Sequence, residues 1–104
     1  MPYIVVHSWY PPDKGEELVN KYMEVMEKYP EEERLGDPTV PVAVSPTIDG
    51  IECLSISNIK PNMLEEALER TNNAMAMFNT LADYRYETKV WMTLEEGLKS
   101  IGMG

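Results

Sequence analysis

The chain has 104 residues, of which 43% are hydrophobic and 26% are charged. Nine lysines and arginines stand against eighteen aspartates and glutamates, so the formal net charge is −9 at pH 7. An acidic chain repels phosphate groups, which argues against nucleic acid and anionic membranes as partners. The length predicts a single domain over residues 1–104.

Composition also indicates where in the cell we expect the protein and whether we expect it to carry a cofactor. No apolar run approaches the ~20 residues of a membrane span, and the N-terminal run lacks the basic region of a signal peptide. The single cysteine, Cys53, cannot form an intramolecular disulfide, so we expect a cytoplasmic protein. One histidine and one cysteine do not supply an ordinary zinc site, and we expect neither a metal nor a cofactor.

The first two elements follow from hydrophobic periodicity. Residues 3–10 are β-branched and aromatic and are followed by two prolines, which predicts a strand. Asp13 stands three residues before Glu16, the spacing of a capping box. A helical repeat of apolar residues then extends to Pro30 and predicts an amphipathic helix. Its apolar positions are Leu18, Val19, Tyr22, Met23, Val25, Met26 and Tyr29.

The middle of the chain predicts a loop and a hairpin. Residues 30–39 combine charge with proline and glycine, which is typical of a solvated loop. Two β-like runs, 40–48 and 51–59, flank an Asp-Gly dipeptide that predicts a two-residue turn. Two prolines lie in the first run and cannot donate hydrogen bonds to a neighbouring strand, so we expect this arm at the sheet edge.

The remaining elements complete a recognisable order. A second helical repeat follows Pro61, and its apolar stripe reaches Ala82. Residues 84–92 alternate between two faces and predict a fourth strand, and Thr93 with Glu96 predicts a capped terminal helix. The order β-α-β-β-α-β is the ferredoxin-like arrangement of the α+β class. Right-handed crossovers place the first strand between the third and the fourth.

Two helices cover only one face of a four-stranded sheet, so the other face needs a different cover. Alternation predicts that Ile4, Leu54 and Ile56 face the helices. The opposite face is then apolar and aromatic, as interaction surfaces are. We expect a second copy to pack on it and form a homodimer. Its predicted residues are Val5, His7, Trp9, Val42, Val44, Ile48, Cys53, Ser55, Ser57, Glu87, Lys89 and Trp91.

The element order, the length and this sheet face resemble the dimeric α+β barrel superfamily, and in particular one of its short families of unknown function. The likeness is carried by residues 3–9, 48–51 and 86–91, and it covers nearly the whole chain. It implies a dimeric barrel with a small-molecule cavity between the two sheets. Relatives include cofactor-free monooxygenases, isomerases and lyases, but no catalytic motif of theirs can be carried over to this chain.

Candidate site residues come from the predicted uncovered face. His7 is the natural general base, and Glu87 on a neighbouring strand is a candidate to orient it. The candidate ligand-binding residues are Trp9, Ser55, Ser57, Lys89 and Trp91. Three hypotheses stay open: a homodimer that binds a small, partly apolar molecule, a cofactor-free oxygenase or isomerase that uses His7, and a non-catalytic assembly or regulatory module in which His7 is an interface residue.

Overall fold

The computed structural model describes residues 1–103, which form an α+β protein with four strands and three α-helices. Short 3-10 turns precede the first helix and follow the second. No helix in this described part is long and apolar enough to cross a membrane. The elements are β1 (Tyr3–Tyr10), α1 (Gly15–Lys28), β2 (Gly36–Thr47), β3 (Gly50–Ile59), α2 (Leu64–Ala76), β4 (Arg85–Trp91) and α3 (Leu94–Ser100).

The four strands form one antiparallel sheet in the order β2-β3-β1-β4. β1 therefore lies between β3 and β4, as the crossover rule predicts. β2 is an edge strand, as its prolines predict. Proline has no backbone N–H to donate, and this loss is tolerated where the missing N–H would face solvent at the edge of the sheet. β1 has the predicted limits, and β4 is one residue shorter at each end.

β2 begins earlier than predicted. Residues 36–38 pair with residues 57–59, although their charge and their proline resemble a loop. The pairing then shifts register twice before Ala43, so this part of the edge is irregular. Gly36 permits the close approach, since a side chain there would collide with the backbone of Asn58. The loop prediction was wrong here because an irregular edge strand tolerates residues that a regular strand does not.

The hairpin turn lies one residue earlier than the Asp-Gly prediction. Thr47 pairs with Gly50, which leaves Ile48 and Asp49 in the turn. The Thr47 hydroxyl donates to the Gly50 carbonyl at 2.7 Å and accepts from the Asp49 amide at 3.2 Å. Gly50 has a φ of +129°, a conformation that strongly favours glycine. The side chain of Thr47 and the freedom of Gly50 therefore close the loop.

The predicted faces are correct for β1 and β4 and wrong for the hairpin. Ile4 is buried toward the helices, as expected. In the β1–β3 register, Ser57 lies opposite Ile4, so the serine row of β3 faces the helices too. Leu54 lies opposite His7 on the other face. The prediction turned Leu54 and Ile56 toward the helices because they are more apolar than the serines. The pairing of β3 with β1 places them on the other face. A shift of one residue in this pairing exchanges the two faces of a strand.

The hydrophobic core is small and lies at one end of the sheet. Its buried members are Ile4, Leu35, Ile59 and Ala67, which bring together β1, the α1–β2 loop, β3 and α2. Partly buried side chains pack around them, namely Val6, Met63, Leu64 and Leu68. Beside this core, the space between the sheet and the helices is not filled by side chains, and it extends along the sheet to Tyr10.

Candidate functional site

A cavity with a volume of about 500 Å³ lies between the sheet and the helices α1 and α2. We call it the sheet–helix cavity. Its roof is mostly apolar and comes from both helices and the 3-10 turn after α2. The roof residues are Leu18, Val19, Tyr22, Val25, Met26, Tyr29, Ala67, Thr71, Ala74, Met75 and Phe78.

The floor of the sheet–helix cavity is more polar than its roof. Ile4 and Val6 contribute apolar surface from β1, whereas Cys53, Ser55 and Ser57 contribute a thiol and two hydroxyls from β3. Alternation along an extended strand places these three side chains on one side at a spacing of about 7 Å. The cavity can therefore bury an apolar molecule and still offer hydrogen-bonding groups along one wall, as ligand pockets do.

A hydroxyl–thiol cluster, consisting of Ser8, Tyr10, Cys53 and Tyr84, lies at the Tyr10 end of this floor. Burial raises the pKa of the Cys53 thiol, and interactions with Ser8 and Tyr10 offset part of the rise. Burial likewise raises the pKa of Tyr10 and of Tyr84. All three groups are therefore neutral near pH 7, and the cluster offers uncharged hydrogen bonds.

Tyr84 is held in place by aromatic neighbours. Its ring stacks on Phe78 with 5.0 Å between centroids, and it also lies 6.0 Å from the ring of Tyr86. The Tyr86 hydroxyl donates to Asn79 at 3.1 Å. Of the two tyrosines in this aromatic group, Tyr84 lines the cavity and Tyr86 does not.

Charged groups of the sheet–helix cavity lie on its opposite side, near the α1–β2 loop. Glu31, Glu32 and Asp37 line this part together with Arg70. Arg70 binds the Glu32 carboxylate at 3.2 Å, donates to the Pro30 carbonyl at 2.6 Å and lies over the Tyr29 ring. The one cation of the lining is thus already paired, and the remaining charge on this side is negative.

The sheet face turned away from the helices carries a second group of polar residues. We call it the outer face. His7 Nε2 hydrogen-bonds to the Glu52 carboxylate, and the His7 and Trp9 rings lie 4.0 Å apart. A shallow pocket of about 300 Å³ beside this pair is bordered by Ala43 and Ser45 of the edge strand. An imidazole held by a carboxylate in this way has the arrangement of a general base and its orienting partner.

Glu87 lies on the outer face directly across from His7 in the β1–β4 register, but it does not bind the imidazole. Its carboxylate instead binds Lys89 Nζ at 2.6 Å. This hydrogen bond and the charge of Lys89 lower the pKa of Glu87, and His7 adds a smaller contribution in the same direction. Glu52, which the sequence analysis missed, therefore occupies the position expected of Glu87.

The single predicted site is divided between the two sides of the sheet. His7, Trp9, Glu87, Lys89 and Trp91 share the outer face. Ser55 and Ser57 instead line the sheet–helix cavity. The same parity error hid Glu52, because a β3 register shifted by one residue turns Glu52 toward the helices.

Comparison with known proteins assigns no function. No protein-family model matches the chain, and no curated protein matches it. Among solved structures, the chain is similar to protein Atu4242 from Agrobacterium tumefaciens, a structural genomics target whose crystal structure is known. The two share 17% sequence identity with a TM-score of 0.46, and the match covers 86% of this chain and 91% of the other.

Proposed function

We propose that this protein binds a small, largely apolar molecule in the sheet–helix cavity. The observation that carries the proposal is the cavity itself, whose volume of about 500 Å³ falls in the range of sites for small ligands. Its apolar roof and its serine-bearing floor provide burial together with a few polar contacts. The predicted ligand-binding roles of Ser55 and Ser57 belong to this proposal.

Packing energetics support this assignment. Protein interiors are filled to the density of organic crystals, so side chains around an empty space lose dispersion contacts that a ligand would restore. Val25, Ala67 and Phe78 are buried along the roof, so this part of the roof is shielded from solvent before a ligand enters.

The test uses the neutral apolar dye Nile red and a pair of matched variants. Ala74 lines the cavity, whereas Ala76 is exposed two residues further along α2. Filling the cavity with Ala74→Phe should weaken Nile red binding by about tenfold or more, since a loss of about 60 Å² of buried apolar contact at roughly 25 cal/mol per Å² costs about 1.5 kcal/mol. Ala76→Phe should bind like the original chain. Equal binding by both variants, measured by fluorescence titration at equal foldedness by circular dichroism, would refute the site.

We also propose that the chain has the ferredoxin-like fold and forms a dimeric α+β barrel through its outer face. The strand order supports the fold, and the uncovered aromatic face supports the dimer. Trp91 is 57% exposed there, and Glu52 and Glu87 share the face with Arg85 and Lys89. A twofold-related copy can place these carboxylates opposite the cations.

The area of the outer face also suits a second copy. Strand spacings of ~4.8 Å and a rise of ~3.3 Å per residue give four strands a planar area on the order of 500 Å². Side-chain relief raises the accessible area above this value, toward the roughly 800 Å² per partner of a stable interface. The proposed partner of the outer face is therefore a second copy of the same chain.

A second candidate function is a cofactor-free enzyme, and the bond between His7 and Glu52 favours it. His7 would act as general base, with Glu52 as positioning residue and Lys89 near a developing negative charge, while Trp9 and Trp91 border the substrate. The predicted catalytic role of Glu87 is then limited to its ion pair with Lys89. In a screen for oxygenase and isomerase activity, His7→Ala should abolish any turnover while the chain stays folded by circular dichroism. Turnover that survives this substitution would remove His7 from the mechanism.

A further inference from the structure

The polar groups of the sheet–helix cavity are distributed unevenly, and this distribution selects among ligand classes. We infer that the ligand is a neutral ring compound with a hydroxyl or carbonyl oxygen, and that this oxygen binds at the hydroxyl–thiol cluster. The inference rests on the proposed function, since it assumes that the cavity is the ligand site. It adds the chemical class and the orientation of the ligand.

The hydroxyl–thiol cluster supplies hydrogen-bonding groups at one end of the cavity. Tyr10 and Tyr84 border the Tyr10 end of the cavity, together with Ser8 and Cys53. Each hydroxyl can donate one hydrogen bond and accept others, so the cluster suits a ligand oxygen of either kind. Ring stacking between Tyr84 and Phe78 fixes the direction of one phenol. A group held in this way loses little entropy when it binds a ligand.

The charged groups at the other end of the cavity disfavour an anionic ligand. A carboxylate or phosphate ligand needs an unpaired cation, but Arg70 is already bound to Glu32. Glu31 and Asp37 on the same side add negative charge, which disfavours an anion further. These groups lie at the end of the sheet where β1 begins, because Asp37 pairs with Asn58. Ile4 and Tyr10, which lies at the cluster end, are six positions apart in β1, a distance of about 20 Å.

The roof of the cavity supplies apolar contacts for a ring system. Between the charged side and the cluster, Leu18, Val25 and Met75 supply apolar surface from the helices. An apolar ring system gains free energy by contact with these side chains, at roughly 25 cal/mol per Å² of buried apolar surface. The ring would occupy the middle of the cavity while its oxygen reaches Tyr10 and Tyr84. A charged or fully polar ligand would make no apolar contacts with these side chains.

The test compares three probes of similar size, namely naphthol, naphthalene and naphthoate, by isothermal titration calorimetry near pH 7. Naphthol should bind most tightly and naphthoate most weakly. Tyr10→Phe and Tyr84→Phe should each weaken naphthol binding by about two- to tenfold, the value of one neutral hydrogen bond, and leave naphthalene unchanged. Tyr86→Phe is the matched control, because its hydroxyl binds Asn79 outside the cavity lining.

The outcomes separate this inference from the proposed function. If Ala74→Phe weakens the binding of all three probes but naphthol is not the tightest of them, the cavity is a ligand site and the inferred class is wrong. If naphthol keeps its full advantage in both tyrosine variants, the cluster does not bind the oxygen. If none of the probes binds, the proposed function itself fails, and the inference fails with it.

Discussion

At the scale of single residues, the outer face shows how a neighbour decides the role of a carboxylate. Glu52 and Glu87 both lie beside His7 in the sheet, but only Glu52 binds the imidazole. Lys89 captures Glu87 because the two side chains project from the same face of β4, two residues apart. Two identical carboxylates on one face therefore have different partners, the His7 imidazole for Glu52 and the Lys89 ammonium for Glu87.

This division makes the acid behaviour of Glu87 testable. Its pKa is lowered in the folded chain by Lys89, so its ion pair stabilises the fold above the ordinary glutamate pKa and is lost as the pH falls through the lowered value. Lys89→Met should raise the pKa of Glu87 toward the ordinary range. Carboxyl carbon shifts in an NMR titration measure this change.

The control for this titration is Lys99→Met, which removes a lysine that pairs with Glu95 in α3. It should leave the Glu87 titration unchanged. If the Glu87 titration midpoint does not move in Lys89→Met, the ion pair does not determine its pKa in solution, and Glu87 becomes available again as a partner of His7.

At the scale of elements, local sequence signals differ in reliability. Thr93 and Glu96 form both bonds of the predicted capping box, at 3.1 Å and 2.9 Å, and α3 begins directly after Thr93. Asp13 and Glu16 have the same spacing, but no side chain caps α1. The prolines before Asp13 start a 3-10 turn over Pro12–Lys14, which moves Asp13 inside the turn and away from the capping position.

A pair of substitutions tests this difference between the two helices. Thr93→Ala should lower the free energy of unfolding by about 1 kcal/mol, because it leaves helix amides without an acceptor. Asp13→Ala should change it by less than about 0.5 kcal/mol, as for an ordinary surface residue. Urea denaturation monitored by circular dichroism provides both values. An equal loss in the two variants would mean that Asp13 caps α1 in solution.

The sequence predicts the elements better than it predicts how they face one another. The run over 3–10 and its alternation are local, and β1 appears with the predicted limits and faces. Which face of the sheet Ser55 and Leu54 occupy depends on the pairing register of β3 with β1. These strands are far apart in the sequence, so no local sequence pattern contains this register. The apolar-inside rule then failed because the space above Ser55 is a cavity and not a filled core. Glu52 was missed for the same reason.

At the scale of the whole molecule, one sheet separates two surfaces with different proposed functions. The helix-covered side contains a cavity that is open to solvent, and the outer face exposes aromatic and charged residues in the single chain. Dimerisation through the outer face would bury the bond between His7 and Glu52 and leave the cavity in each chain intact. Ligand binding and assembly can therefore be measured separately.

Two matched substitutions test the dimer. Trp91 is exposed on the outer face, whereas Ile48 is fully exposed at the hairpin turn. Trp91→Lys should weaken association by about 30-fold or more, since buried aromatic anchors contribute about 2 kcal/mol or more to an interface. Ile48→Lys should not change it. Sedimentation equilibrium measures both, and an original chain that remains monomeric at micromolar concentration would rule out the outer-face dimer.

The most direct measurement of the central claim, a ligand site between the sheet and the helices, is methyl NMR during a titration with naphthol. Val6 and Val25 line the sheet–helix cavity, whereas Val5 and Ile56 lie on the outer face. We predict large shift changes at the Val6 and Val25 methyl groups and little change at the other two. Shifts confined to Val5 and Ile56 would place the ligand on the outer face and contradict the account.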